Sequence, residues 1–262
     1  MPRSVITLTT DFGPSSPYVA QIKGVILAIC GEVELIDITH AIPPQQILAG
    51  AVALLDVYHY FSPGTIHIAV VDPGVGSNRA IALAEIDGHF FVAPDNGLLG
   101  LVARRTTPAR IVHLEASEFW RHPVSPTFHG RDIMAPVAAH LARGVNFEKF
   151  GVSQRVVRSL GLIDAVVTTD SAQGTVLAVD SFGNLTTNLE RDMLPRSVSE
   201  LTLWVGGQTR ATVPFVATYA DQPADQLVAL VGSGGRIEIA VVNGNASKRL
   251  GAGTAAEICF QW

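Results

Sequence analysis

Three stretches of this 262-residue sequence concentrate the side chains that chemistry uses. Thr10-Asp11-Phe12-Gly13 puts a carboxylate after a β-rich run. Asp72-Pro73-Gly74-Val75-Gly76-Ser77-Asn78-Arg79 holds a carboxylate and a guanidinium seven residues apart, and Phe128-His129-Gly130-Arg131-Asp132 opens a helical pattern with an imidazole. An acid, a permanent cation and a group titrating near neutrality are the parts of a proton-handling site. Each also has an ordinary explanation. A strand-end aspartate caps a turn through its own backbone. An Asp–Arg pair across a turn can be a surface ion pair worth roughly 0–1 kcal/mol, and a histidine ahead of a helix can simply neighbour its cap. Convergence of the loops is what separates a site from such coincidences.

Other familiar patterns fail. Gly74-Val75-Gly76 is no dinucleotide fingerprint, because Arg rather than Gly stands at position 79 and a strand follows. The eight histidines show no metal-binding spacing, and His59, His67 and His89 read as packed or half-exposed residues of periodic segments. Cys30 and Cys259 stand far apart, outside any C-x-x-C spacing, and read as small buried hydrophobes in a reducing compartment.

The elements that must carry the loops alternate at first. Val5–Thr9 is a strand, Tyr18–Cys30 a helix with Val19, Ile22, Ile26 and Ile29 on one face, and Val33–Ile38 a second strand. Gln46–Tyr60 is a second helix and Thr65–Val71 a third strand, so a parallel sheet with right-handed crossovers follows. Ala80–Ile86 and His89–Ala93, joined by Asp87-Gly88, read as a hairpin that makes the sheet mixed at one edge. A further helix runs from near Arg131 to Ala142. In such sheets ligands bind beyond the carboxyl ends of the strands, where these loops lie.

From Ala165 onward the pattern changes to short β-rich runs with little helical periodicity. They are Gly174–Val179, Leu201–Val205, Ala211–Phe215, Gln226–Val231, Ile237–Val242 and Ala255–Phe260. The expected fold is therefore α/β: a mixed, mostly parallel α/β sandwich domain over 1–160, then a smaller all-β barrel-like domain over 168–262. The boundary is placed at about 155–168, around Asp164. Hydrophobic residues make up 48% and charged residues 16% of the chain, which argues against disorder. A net charge of −5 leaves no basic face for nucleic acid. The longest apolar stretch, Ala49–Leu55, is too short for a bilayer, and no secretory leader pattern fits the start, so the expected location is cytoplasmic.

These segments resemble, in order and over nearly the whole chain, the S-adenosylmethionine (SAM) hydroxide adenosyltransferase family. Its members are adenosine-forming hydrolases related to fluorinating and chlorinating enzymes. The resemblance is carried by the three stretches above with Tyr18-Val19, Lys23-Gly24-Val25, Asp37-Ile38-Thr39-His40 and Pro94-Asp95-Asn96-Gly97-Leu98-Leu99. Asp180-Ser181-Phe182-Gly183-Asn184, Ser233 near Gly235, and Asn243-Gly244-Asn245-Ala246 extend it. It implies a catalytic set of Asp72, Arg79 and His129, in which the guanidinium favours a deprotonated water and the imidazole takes or relays the proton. The carboxylate would fix the tautomer and orientation of the imidazole.

The implied substrate contacts are Asp11 to both ribose hydroxyls, Phe182 and Tyr219 against adenine, and Asn184 and the Ala246 backbone at its edge. Asp180 would meet the methionine ammonium and Ser233 the carboxylate, with Phe12, Tyr18 and Asn245 also around the substrate. Read without the resemblance, Phe182 and Tyr219 are core aromatics, Asp11 a strand-end cap and Asn184 a turn residue. No metal or cofactor is implied, SAM being the substrate, and no nucleic-acid or membrane partner. The assembly implied is a homotrimer with active sites between the N-terminal domain of one subunit and the C-terminal domain of its neighbour.

The halogenating relatives carry a long insertion where Ile86 here passes to His89 through two residues. They have tyrosines at the positions of Asp72 and His129 and hydroxyl side chains at those of Val75 and Gly130. Water is therefore the expected nucleophile, with halide transfer as the alternative chemistry and a non-catalytic adenosine or SAM-binding module as the alternative class. Two positions depart from the hydrolases: Ser16 stands where an acidic residue is usual, and Gly234 where some relatives have Arg.

Overall fold

The computed structural model describes residues 3–162, 164–207 and 209–262; Ile163, within the expected boundary stretch, lies outside them. Contacts divide the chain into two compact units, Met1–Leu160 and Gly161–Trp262.

In the first unit, β1 (Ser4–Thr10), α1 (Tyr18–Ile29), β2 (Val33–Thr39), α2 (Ile47–Val57) and β3 (Ile66–Val70) alternate as the sequence predicts. The strands β4 (Ile81–Ile86) and β5 (His89–Pro94) form the hairpin. Its Asp87-Gly88 turn has φ of 53° and 75°, a left-handed pair matching the strand twist. The rest comprises α3 (Gly100–Arg105), β6 (Arg110–Leu114), α4 (Ala135–Ala142) and β7 (Gly151–Ser153).

The strand order is β2-β1-β3-β5-β4-β6-β7. Pairs on the β2 side are parallel, whereas β5–β4, β4–β6 and β6–β7 are antiparallel. The antiparallel part thus reaches beyond the single edge expected from sequence, because α3, β6 and β7 are too short to show periodicity. The chain leaves β1 towards β2 and then crosses back to β3. Right-handed crossovers in opposite directions place α1 and α2 on opposite faces. On one face Ile6, Leu8, Ile68 and Val92 pack on Ile22 and Ile26 of α1 and Val137 and Ala138 of α4.

The second unit contains β8 (Val166–Val167), β9 (Ser171–Val179), β10 (Leu185–Glu190), β11 (Glu200–Val205) and β12 (Thr209–Val216). It continues with β13 (Leu227–Val231), β14 (Arg236–Val241), α5 (Ala246–Leu250) and β15 (Glu257–Gln261). Seven strands close a barrel in the order β9-β10-β14-β13-β12-β11-β15, with β15 returning to β9. Alternate residues point inward, and Leu185, Leu203, Val213, Ile237, Ile239 and Phe260 fill the core. The cysteines are half-buried rather than core. No helix among the described residues is long and apolar enough to cross a membrane.

Candidate active site

Asp72 leaves the end of β3, and its loop returns Arg79 onto it. Arg79 Nε donates to Asp72 Oδ1 and Oδ2 at 2.8 and 2.9 Å, and Nη2 pairs with Oδ2. The same Nη2 lies 3.0 Å from Nδ1 of His129. The side chains of Arg79 and Asp72 are only 9% and 5% exposed, so this is no surface ion pair. The loops do converge. A guanidinium can only donate, so Nδ1 of His129 accepts and the neutral ring carries its proton on Nε2. Burial, then Arg79, pull the His129 pKa below its ordinary value, while Asp72 and Asp132 partly oppose them.

Contrary to what the resemblance implies, Asp72 does not orient His129 directly; it spends its contacts on Arg79, and Arg79 touches the imidazole. Nη2 of Arg79 is shared, pairing with Asp72 on its own loop and meeting the imidazole of the other.

Glycine makes the convergence possible. Gly76 has φ of 80°, and a Cβ there would sit 2.5 Å from the carbonyl oxygen of Pro126, on the segment leading to His129. Asn96 steadies the loop from behind by donating from Nδ2 to the Val71 carbonyl at 2.9 Å. His129 immediately precedes a π-helical turn, Gly130–Met134, a local form that often marks functional sites. That turn is pinned by the fully buried Asp132. Its carboxylate accepts from Arg131 at 2.7 and 2.8 Å, Arg121 at 3.0 Å and the Ser125 amide at 2.9 Å. Burial pushes the Asp132 pKa up, but these donors outweigh it and hold it below the usual carboxylate range. Asp132 and Asn96 carry no role in the sequence reading, because each takes its meaning from partners outside its own motif, Ser125 and Arg121 for the one and Val71 for the other.

Asp11 sits half-buried beyond β1 with Oδ2 accepting from the Gln45 amide at 2.8 Å. Phe12, Tyr18 and Phe128 meet edge to face with centroids 5.1–5.7 Å apart, which places the Asp11 loop beside the His129 loop. Tyr18 remains 49% exposed.

The second unit has a cleft of about 950 Å³ lined by Asp180, Phe182, Asn184, Tyr219, Ser233 and Glu238, among others. Phe182 is 74% and Tyr219 40% exposed, so neither is a core aromatic. Tyr219 donates its hydroxyl to Glu238 Oε2 at 2.9 Å, and burial together with that carboxylate pushes its pKa up to about 12. Asp180 organises the turn below Phe182, accepting from the amides of Phe182 and Asn184 and from Asn184 Nδ2 at 2.8–2.9 Å. Asn245 and Ala246 do not line the cleft. Asn245 caps α5 by accepting from the Lys248 amide, Ala246 is fully buried, and Ser247 N binds the Gly183 carbonyl, so they abut the 180–184 turn. Glu238 went unnoticed in the sequence, since nothing local links it to Tyr219. Among the described residues, no group of three or more His, Cys, Asp or Glu is placed to hold a metal ion.

Residues 6–151 match the model of the SAM hydroxide adenosyltransferase N-terminal domain, and residues 174–259 that of its C-terminal domain. The chain belongs to the SAM hydroxide adenosyltransferase family. Among family relatives, the (R)-S-adenosyl-L-methionine hydrolase of Thermus thermophilus is 38% identical, covering 92% of this chain and 93% of its own. That of Methanocaldococcus jannaschii is 34% identical over 97% and 94%. A fluorinase of Nocardia brasiliensis is more distant, at 27% identity over 84% of this chain and 83% of its own. The crystal structure of a conserved protein from Thermotoga maritima superposes with a TM-score of 0.91 at 34% identity, covering 98% of this chain and all of that one.

Proposed function

We propose that this family member hydrolyses SAM to adenosine and L-methionine. Water oxygen attacks the ribose 5′ carbon, the carbon–sulfur bond breaks, and its electron pair stays on sulfur as the thioether of methionine. The water proton passes to Nδ1 of His129, which exchanges its contact with Arg79 for the water, and the ring returns the charge to solvent by releasing the proton on Nε2. The observation that carries this reading is the buried Asp72–Arg79–His129 contact. A guanidinium held against an imidazole that stays neutral offers a bound water both a cation to favour hydroxide and a base to take its proton. Asp72 fixes the guanidinium plane bidentately. The sulfonium is already a good leaving group, so in-line placement is the other large requirement.

Asp11 takes the ribose hydroxyls, Phe182 and Tyr219 flank adenine, and Asn184 with the Ala246 backbone reads its edge. Asp180 meets the ammonium and Ser233 the carboxylate, with Phe12, Tyr18 and Asn245 around them. The two carboxylates of the second-unit cleft, Asp180 and Glu238, suit a substrate bearing sulfonium and ammonium charges. No metal or cofactor enters the chemistry. The resemblance supports a homotrimer in which neighbouring subunits complete each site, and exposed Phe182 supplies an aromatic surface that adenine would cover.

The test is turnover of SAM in water enriched in oxygen-18. Labelled adenosine with methionine, lost in His129→Ala, is the expected result. SAM bound tightly and recovered intact would refute hydrolysis in favour of a binding module, and halide-dependent loss of SAM would favour halide transfer.

A further inference from the structure

Two quoted motifs, Lys23-Gly24-Val25 and Asp37-Ile38-Thr39-His40, play no part in the chemistry above, and the structure joins them. Lys23 Nζ lies 2.6 Å from Asp37 Oδ2, and His40 Nε2 lies 3.1 Å from Asp37 Oδ1. His40 Nδ1 is 2.9 Å from the hydroxyl of fully buried Thr10, and that hydroxyl accepts from the Phe12 amide at 3.3 Å. The His40 carbonyl accepts from the Gly13 amide at 2.8 Å. His40 therefore grips the loop on both sides of Asp11, by its ring and by its backbone.

The contact depends on an irregularity in the sheet. In a regular strand, residues three apart face opposite sides, and Asp37 could not meet His40. Here Leu8 lies opposite Asp37 but Thr9 lies opposite Thr39, leaving Ile38 as an extra residue. That bulge turns His40 to the side of Asp37 and brings it level with Thr10; bulges beside sites re-aim side chains in this way.

Burial raises the Asp37 pKa, but Lys23 and His40 outweigh it and hold it below the usual value. An ionised carboxylate only accepts, so Nε2 of His40 carries a proton that faces Asp37 without a well-aligned hydrogen bond. In the neutral ring Nδ1 then accepts from the Thr10 hydroxyl, and the donors from Phe12 through Thr10 and His40 all point towards Asp37.

We propose that His40, oriented by Asp37 and Lys23, is a positioning residue that holds, through Thr10, the loop presenting Asp11 to the ribose hydroxyls. This rests on the reading of Asp11 as the ribose contact. Thr10→Val removes the hydroxyl at nearly constant shape, and His40→Ala and Asp37→Asn break the links behind it. Each full-length variant is assayed for SAM turnover and, by calorimetry, for binding of adenosine and 2′-deoxyadenosine.

In Thr10→Val and His40→Ala, KM for SAM and Kd for adenosine rise about 5–20-fold while kcat stays within about 3-fold. Preference for adenosine over 2′-deoxyadenosine shrinks towards that of Asp11→Asn. Thr10→Ser restores the preference, as does His40→Asn, whose amide can replace Nδ1. Unchanged KM and preference in folded variants overturn the proposal. So does a fall in kcat at constant KM, which would place His40 with the catalytic groups. If Asp11→Asn leaves the preference intact, the ribose reading fails and this proposal with it. A wild type that keeps the preference but does not turn over SAM refutes hydrolysis alone. Should Thr10→Val not fold, the 39%-exposed Asp37→Asn provides the comparison.

Discussion

Replacing Gly76 by alanine tests whether the catalytic groups meet because two loops press together. The added Cβ would lie 2.5 Å from the Pro126 carbonyl oxygen, where ordinary contact begins at 3.4 Å, and the obstacle is backbone that cannot swing aside. The Asp72–Arg79 loop must therefore move from the segment leading to His129 by about 0.9 Å. Such a shift stretches the 3.0 Å contact between Arg79 and His129 beyond hydrogen-bonding range. A misplacement of about 1 Å costs on the order of 100-fold in turnover, and that is the expected fall in kcat for SAM hydrolysis. Left-handed strain and overlap together cost about 2–4 kcal/mol, lowering Tm by roughly 5–10 °C.

Adenosine release by chromatography and scanning calorimetry read the two effects. Gly74→Ala is the control. Its Cβ would meet Arg79 Cγ at 3.4 Å and Ser77 Oγ at 3.5 Å, both ordinary contacts with side chains, so turnover should stay within about 3-fold. A Gly76→Ala enzyme with more than about a third of wild-type turnover, or equal losses in both variants, would refute the loop-contact argument.

The lowered His129 pKa keeps the ring neutral at pH 7, so the acid limb of kcat/KM should fall below pH 6.5; Asp132→Asn, which removes a raising charge, should move it lower still. A limb centred at or above 6.5 would contradict this. Fully buried His67, bonded to Thr7 at 2.8 Å, has its pKa pushed down to about 3 by desolvation and then by His89. The unfolded chain therefore binds this proton first as pH falls. Stability is fully present above about pH 6.5 and declines towards pH 3, by on the order of 5 kcal/mol at most. Denaturant titrations at several pH values should show a shallower decline in His67→Phe paired with Thr7→Val. Tyr219→Phe keeps the ring and should leave adenosine affinity within about 3-fold, whereas Tyr219→Ala should weaken it about 10-fold or more. Calorimetry giving equal losses would mean the hydroxyl, not the ring, carries the contact.

The long alternating elements of the first unit were legible because their apolar spacing is sustained. Ile22 and Ile26 recur on α1, and Asp87-Gly88 announces the hairpin turn. That Asp72, Arg79 and His129 belong together was anticipated from the resemblance, but the bonding among them was not. Sequence cannot show that Arg79 stands between Asp72 and His129, since that depends on two loops meeting. The elements α3, β6 and β10 went unread at five or six residues each, too few to establish a period. The Ile38 bulge was hidden for a related reason: a one-residue slip near the end of a seven-residue strand leaves its alternation almost unchanged. Asp132 and Glu238 draw their meaning from Arg121 and Tyr219, eleven and nineteen residues away.

The 180–184 turn joins β9 to β10, and that pairing is one of the seams that complete the ring. Asp180, Phe182 and Asn184 therefore cannot spread apart without parting the barrel wall. Their ordering entropy is lost when the unit folds rather than when ligand arrives, so the cleft of the second unit is a mould fixed before any ligand enters. A destabilising change on the far side of the barrel, such as at Leu203 or Val213, lowers the free energy of opening but leaves the shape of the closed cleft unchanged. The cleft keeps its shape for as long as the barrel stays closed.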